Sequence, residues 1–285
     1  MERDREKGAA AMREKKIVIG YDGSPAAEAA LTWALDEADR TGMRAELMYA
    51  DEYPAWAPAA SMVPSPALRP SDYRARVIGG MLDRAVTESQ QAHPQVPVEA
   101  TTVTALASTA LAERSSHVGL LVLGTRGHAA LPGLVGSLSA AVGAHAHCPV
   151  VVVHGATAPG TPTAPVVAGL DHSSLAPAVL RFAAEQAAGR GVALRVLGNQ
   201  PEADTAMAEI REDFPGLQIS AETVPGEPGE ALVAAGQTAQ LLVIGGRGHG
   251  AVRGLLLGSV SRHLLRHAAC PIAIVPEAVP AGDPS

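Results

Sequence analysis

Cysteine is nearly absent from this chain: two residues, Cys148 and Cys270, in 285. That is too few for a disulfide scaffold. Aromatic residues make up only 3%, so the cores must be built from Ala, Val and Leu. Charged residues amount to 18% with a net charge of −7, which argues against a nucleic-acid-binding domain, whose footprint is a basic surface. No apolar run approaches the ~18 residues of a membrane span. The opening "MERDREKGAAAMREKK" is charged and lacks the apolar centre of a signal peptide. Residues 1–15 therefore read as a disordered tail. The expectation is a cytoplasmic protein with no nucleic-acid or membrane partner. Hydrophobic residues, at 47%, are ample for real cores, and the length suggests about two domains.

The chain is written twice. "IVIGYDGSPAAEAALTWALDEADRTGMRAEL" (17–47) aligns with "VVAGLDHSSLAPAVLRFAAEQAAGRGVALRV" (166–196), pairing Gly20 with Gly169, Asp22 with Asp171, Ser24 with Ser173 and Gly42 with Gly191. Further on, "HCPVVVV" (147–153) matches "ACPIAIV" (269–275). The expected division is a first domain at 16–154, a Pro/Gly/Thr-rich linker at 155–164, a second domain at 165–276 and a tail at 277–285.

Each half alternates strand and helix. In the first, "KKIVIGY" reads as a buried strand. A helix follows that Ser24 can cap, Pro25 can open and Gly42 can end. "RAELMYA", "VEATTV" and "VGLLVLG" are further strands, with helices near 71–91, around "ALAERSS" and from Ser137, and "PVVVV" closes the half. The second half repeats the series, with its second crossover compressed to about 198–216. Continuous Val/Ile/Leu strands alternating with helices imply a parallel sheet covered on both faces. The fold class expected is α/β: two repeated doubly wound, Rossmann-like domains of five parallel strands each, in the order 3-2-1-4-5. The fifth strand of each is then an apolar sheet edge that needs a partner, either the other half or a second chain.

Ligands of such sheets bind beyond the strand C-termini, where the strand order reverses. Two repeated features fall there. One is an aspartate after the first strand, Asp22 and Asp171. The other is a glycine loop after the fourth, "GTRGHAALPGLVGS" (124–137) and "GGRGHGAVRGLLLGS" (245–259). Glycine lets an anion approach the backbone with no Cβ in the way, and a Gly-Ser pair opening a helix offers amide N–H groups at the positive end of its dipole. Ser259 adds a hydroxyl, while Arg247 and Arg253 add positive charge. An aspartate, which only accepts, suits a ribose hydroxyl or an adenine amino group. A nucleotide carries both ends. The spacing is neither a Walker loop, which requires a lysine, nor the tighter dinucleotide fingerprint.

The strand-ending Asp combined with G-x2-G-x9-G-[S/T] resembles the signature of ATP-binding universal stress proteins in their tandem form, over most of residues 16–276. The resemblance implies ATP, with or without Mg²⁺, as the ligand, a regulatory role in stress response, and association through the last strand as a homodimer or an intrachain pseudo-dimer. In the second half it implies Asp171 at the adenine, Val196 and Ile244 lining the base, Gly245, Gly248, Gly258 and Ser259 as the cradle, and Val260 beside the phosphates. In the first half it implies Asp22, with Ala50 and Leu123 lining the base, and Gly124, Gly127, Gly136 and Ser137 as the cradle. Eight residues separate Gly127 from Gly136, where nine separate Gly248 from Gly258. The second half is therefore expected to hold a triphosphate more firmly.

Other residue groups yield less. His263 and His267, four apart, present a polar helix face rather than a metal site, since no third ligand is evident. Asp51-Glu52 could assist Mg²⁺ through water, but surface carboxylates are common. No Ser-His-Asp or Cys-His constellation stands out, so no catalytic residue is named. The readings in competition are a nucleotide-controlled regulator with an unknown protein partner, a slow ATPase or phosphoryl-transfer enzyme, and a scaffold whose glycine loops are only architectural.

Overall fold

The computed structural model describes residues 14–52, 72–125, 137–154, 161–171, 173–198, 200–223, 226–246 and 257–277. Among them the first half runs β1 (Glu14–Gly20), α1 (Pro25–Thr41), β2 (Arg44–Ala50), α2 (Asp72–Ala92), β3 (Val98–Val103), α3 (Ala107–Arg114), β4 (Val118–Gly124), α4 (Ser137–His145) and β5 (Val150–Val153). The second runs β6 (Val166–Gly169), α5 (Ala176–Arg190), β7 (Leu194–Leu197), α6 (Gln200–Asp213), β8 (Ile219–Glu222), α7 (Pro228–Gly236), β9 (Leu241–Gly245), α8 (Ser259–His267) and β10 (Ile272–Val275).

The strands form one ten-stranded sheet, ordered β3-β2-β1-β4-β5-β10-β9-β6-β7-β8. Each half has the 3-2-1-4-5 order, with parallel pairing inside it. The two fifth strands meet antiparallel, with Ile272 opposite Val152, Ala273 opposite Val151 and Ile274 opposite Val150. The two apolar edges cover one another within the chain. A homodimer built through the fifth strands would first have to break this ladder.

Alternation along the strands builds two cores. Ile17, Ile19, Leu120 and Val122 face α1 and α2, while Val18, Leu121 and Leu123 face α3 and α4. Helix α1 forms as its sequence dictates. Ser24 Oγ accepts from the Ala27 amide at 3.2 Å, and Gly42 ends the helix at φ 67°. Apolar Ala27, Ala30, Leu31, Ala34, Leu35 and Ala38 recur at helical spacing on its buried face. Its counterpart α5 starts later than the alignment implies, at Ala176, with Leu175 as a cap that makes no side-chain bond. The cause is local: Ser173 Oγ donates to Asp171 Oδ1 at 2.5 Å and accepts from Leu175 N at 3.4 Å, closing a tight turn where α1 has its first helical turn.

Two polar clusters interrupt the apolar packing. Glu46, on β2 and 2% exposed, receives Arg114 Nη2 at 2.6 Å and lies 3.2 Å from Lys16 Nζ, which also donates to Glu99 at 2.9 Å. Burial alone would raise the Glu46 carboxyl, but the Arg114 guanidinium and the Lys16 ammonium outweigh it and hold the pKa below the ordinary 4.5. The second cluster joins the halves across α1 and α5. Glu37, also 2% exposed, accepts from Gln186 Nε2 and Arg190 Nη2, each at 2.9 Å, and from Arg40. The Arg190 guanidinium lies 5.3 Å from the centre of the Trp33 ring. Glu37 and Gln186 are equivalent positions of the repeat. An acid thus meets an amide where a symmetric pair would set carboxylate against carboxylate.

Candidate functional site

The site is built at the C-terminal ends of β1 and β4, and again at those of β6 and β9. Ile19 pairs with Val122, and Ala168 with Val243. Asp22 and Asp171 thus each leave the sheet three residues beyond such a pair, and Gly124 and Gly245 end the neighbouring strand two residues beyond it. In both halves the carboxylate turns back on its own loop: Asp22 Oδ1 accepts from Ser24 N at 3.0 Å and Asp171 Oδ1 from Ser173 N at 3.1 Å. Gly23, between Asp22 and Ser24, adopts φ 75°, and a Cβ there would stand 2.5 Å from Met81 Sδ. Helix α2 therefore rests directly on the Asp22 turn.

The glycine loops lie partly outside the described residues, which exclude Gly127, Gly136, Arg247, Gly248 and Arg253. Their stems are described. In the second half Gly258 is the N-cap of α8, at φ −56° and ψ 157°, and it supplies no side-chain bond to the first turn. Gly258 therefore offers no side chain to the leading amides of α8, which Ser259 and Val260 head. In the first half α4 opens at Ser137. Each helix is pinned to its strand by a serine two residues in: Ser139 Oγ donates to Gly124 O at 3.2 Å and Ser261 Oγ to Gly245 O at 3.0 Å. Sequence reasoning passed over these two serines, although the repeated text "GSLS" and "GSVS" carried the signal.

Not every expected residue is open to a ligand. A Cβ on Gly124 would stand 2.5 Å from Ala26 O, so the first turn of α1 accounts for that glycine. Leu123 and Ile244 are 1% and 3% exposed and sit in the core facing α3, α4, α7 and α8. Val196 is 1% exposed, faces the opposite core, and pairs with Ala168 inside the sheet. Met48 is opposite Gly20, and Leu197 is opposite Gly169. That register places the counterpart of Ala50 at residue 199, outside the described residues, and leaves Val196 beneath the strand end. Ala50 itself, at the last position of β2, is half-buried.

Acidic groups crowd the first crevice. Arg74 Nη2 donates to Asp51 Oδ1 at 2.7 Å, and Glu52 Oε1 accepts from the Ala107 amide at the start of α3 at 3.0 Å. Both carboxylates are engaged in holding helices. Burial raises the Tyr49 phenol; Arg74 opposes this, and the carboxylates of Asp51, Asp22 and Glu52 add to it. Among the described residues no three His, Cys, Asp or Glu side chains group as a metal site. His263 stacks on His267 with ring centres 4.6 Å apart and reaches Glu230 Oε1 at 3.3 Å. Cys148 and Cys270 are both buried, and burial pushes the Cys270 thiol up to about 12. No helix among the described residues is long and apolar enough to cross a membrane.

The sequence profile of the universal stress protein family matches residues 14–154 and 198–276, well over half the chain. The chain belongs to this family. It is similar to universal stress protein Rv2623 of Mycobacterium tuberculosis, 31% identical over 290 residues, with 92% of this chain and 97% of that one covered. Universal stress protein Rv2005c of the same organism is 28% identical over 291 residues, again with 92% and 97% covered. In three dimensions, a universal stress protein from Archaeoglobus fulgidus shares the fold with a TM-score of 0.70 at 15% identity, over 92% of this chain and 98% of that one. The cytoplasmic domain of a prokaryotic cation chloride cotransporter also shares it, with a TM-score of 0.55 at 10% identity over 93% and 96%. The fold alone therefore does not name the function. The second family match begins beyond β6 and leaves Asp171 outside it. The placement of that aspartate among universal stress protein features rests on the repeated topology.

Proposed function

We propose that this universal stress protein is a cytoplasmic, ATP-binding regulator of the stress response, whose nucleotide occupancy controls conformation or the choice of a protein partner. The observation that carries the reading is the duplicated strand-end geometry. In each half a carboxylate turn follows one strand, and a helix opening at Ser137 or Ser259 is pinned by a serine to the end of the adjacent strand; the first can take donors of the base or sugar and the second an anionic tail. Residues 16–154 and 165–276 are in this reading two nucleotide-binding units. In the second, Asp171 meets the adenosine, and the amides of α8 with Ser259, helped by Gly248 and Arg253, meet the phosphates. In the first, Asp22, Gly127, Gly136 and Ser137 correspond. Mg²⁺, where it accompanied the nucleotide, would neutralise phosphate charge; Asp51 and Glu52 already hold Arg74 and the start of α3. We assign no catalytic residue.

The test is direct. Acid extracts of freshly purified native protein should release adenine nucleotide at one or two equivalents per chain, and calorimetric titration of the stripped protein with ATP should show saturable binding. A stripped, folded protein that takes up no adenine nucleotide overturns the proposal and leaves the scaffold reading.

A further inference from the structure

We propose that the first half completes the second half's cradle: Gly143 of α4 is a positioning residue for the site formed by Gly245, Gly246, Leu257, Gly258 and Ser259. This rests on the nucleotide reading of that site. Gly246 is a clamp between its two stems. Its amide donates to Val275 O at 2.9 Å, and its carbonyl accepts from Gly258 N at 3.0 Å. A Cβ on Gly246 would stand 3.4 Å from the carbonyl oxygen of Gly143, which belongs to the other half. Gly143 is equally confined. A Cβ there would stand 3.0 Å from Ile274 Cδ1 and 3.4 Å from Leu257 Cδ1. Leu257, 3% exposed, directly precedes the Gly258 cap of α8. A helix of the first half thus packs, with bare backbone at Gly143, against the two stems of the second glycine loop.

In the repeat, both partners of this contact are glycine on one side only. The counterpart of Gly246 is Thr125 and the counterpart of Gly143 is Leu265. In the reverse direction the halves meet instead through His154 Nε2, 3.2 Å from the Leu265 carbonyl near the end of α8. Helix α4 also starts at Ser137, in the first half's own cradle, and is pinned there by the bond from Ser139 to Gly124. A rigid helix carries that position to Gly143 over roughly 9 Å. What settles on the head of α4 therefore sets where its other end presses on Leu257 and Gly246. By linkage, the second site influences the first equally.

Calorimetric titration of the full-length protein with ATP tests this in Gly143→Ala and Gly143→Val, with the second-half site identified by its loss in Gly258→Asp. Overpacking should weaken that site by roughly threefold in the alanine variant and roughly tenfold or more in the valine variant. The first-half site, headed by Ser137 of the same helix, should weaken as well but by less than the second-half site. The alanine variant should melt within about 3 °C of the parent, since the gain in helix preference, about 1 kcal/mol, offsets much of the crowding at Ile274; a purely structural glycine would not pair near-parental stability with weakened binding in the other half. Amide exchange at Gly258, whose N–H is held by Gly246, should quicken in both variants without nucleotide present. Two sites with parental affinity in folded Gly143→Ala and Gly143→Val, and unchanged exchange at Gly258, overturn the coupling alone. A parent protein that binds no ATP overturns the nucleotide reading and the coupling with it.

Discussion

Replacing Glu37 by alanine tests the junction between the halves. The side chain is 2% exposed and accepts from Arg40, Arg190 and Gln186. Its loss leaves two guanidinium groups, 20% and 15% exposed, facing each other with no carboxylate between them. Burial already pulls Arg190 below its ordinary value, and Glu37 is the partner that pushes back. Removing one member of a buried pair costs about 3–5 kcal/mol, and the partial exposure of both arginines places this case near ~3 kcal/mol. At about 2–4 °C per kcal/mol for a chain of this size, thermal unfolding should fall by roughly 6–12 °C. Glu37→Gln keeps the acceptor oxygen and should lose about half as much. Gln186→Glu sets two carboxylates together and should destabilise more at pH 8 than at pH 5. Circular dichroism melts of the full-length variants measure all three. A Glu37→Ala protein melting within about 2 °C of the parent would show that the cluster is decorative and the reasoning wrong.

Asp22→Ala and Asp171→Ala should each weaken adenine nucleotide binding by about 1 kcal/mol without unfolding the chain; unchanged affinity in both would show that the carboxylates serve only the turns they close with Ser24 and Ser173. Gly258→Asp places a side chain and a negative charge at the start of α8 and should cost ~3 kcal/mol, more than 100-fold in ATP affinity, whereas Gly136→Asp should remove only the weaker site. If Gly136→Asp abolishes the tighter site instead, the ranking of the halves is inverted. Because the folded Glu46 carboxyl is held below its unfolded value of about 4.5, its ion pairs add stability above that pH and lose it as pH falls through the lower folded value. Glu46→Gln should therefore flatten the acid limb of a stability–pH curve from about pH 4.5 downward, and an acid limb as steep as the parent's would place the titration elsewhere.

Much of the fold was legible because its signals are local. "RAELMYA", "VEATTV" and "VGLLVLG" are β2, β3 and β4 to the residue, bounded by turn residues and rich in branched or apolar side chains. The repeat supplied the strand order, and the apolar fifth strands announced that each needed a partner. What escaped depends on direction or on distant neighbours. Ser173 aligns with the Ser24 cap, yet its hydroxyl turns back to Asp171, a choice no alignment shows. Val196 looked like a base-lining residue until the pairing of Leu197 with Gly169 set it three residues short of the position equivalent to Ala50. Gly124 read as a ligand glycine, but its missing Cβ is accounted for by Ala26. The contact of Gly143 with Leu257 spans the two halves and leaves no trace in either half alone.

The ladder between β5 and β10 closes with both strands on one polypeptide, joined through residues 155–164. Two separate copies of a five-stranded unit would find each other by mass action and fall apart on dilution. Here each fifth strand sees the other at an effective concentration on the order of millimolar, whatever the abundance of the protein. The halves therefore stay together in a cell that makes very little of the chain. Tethering also frees the two halves to diverge: Glu37 can face Gln186, and Gly143 can face Leu257, because no molecule ever has to pair with an identical copy of itself across that line.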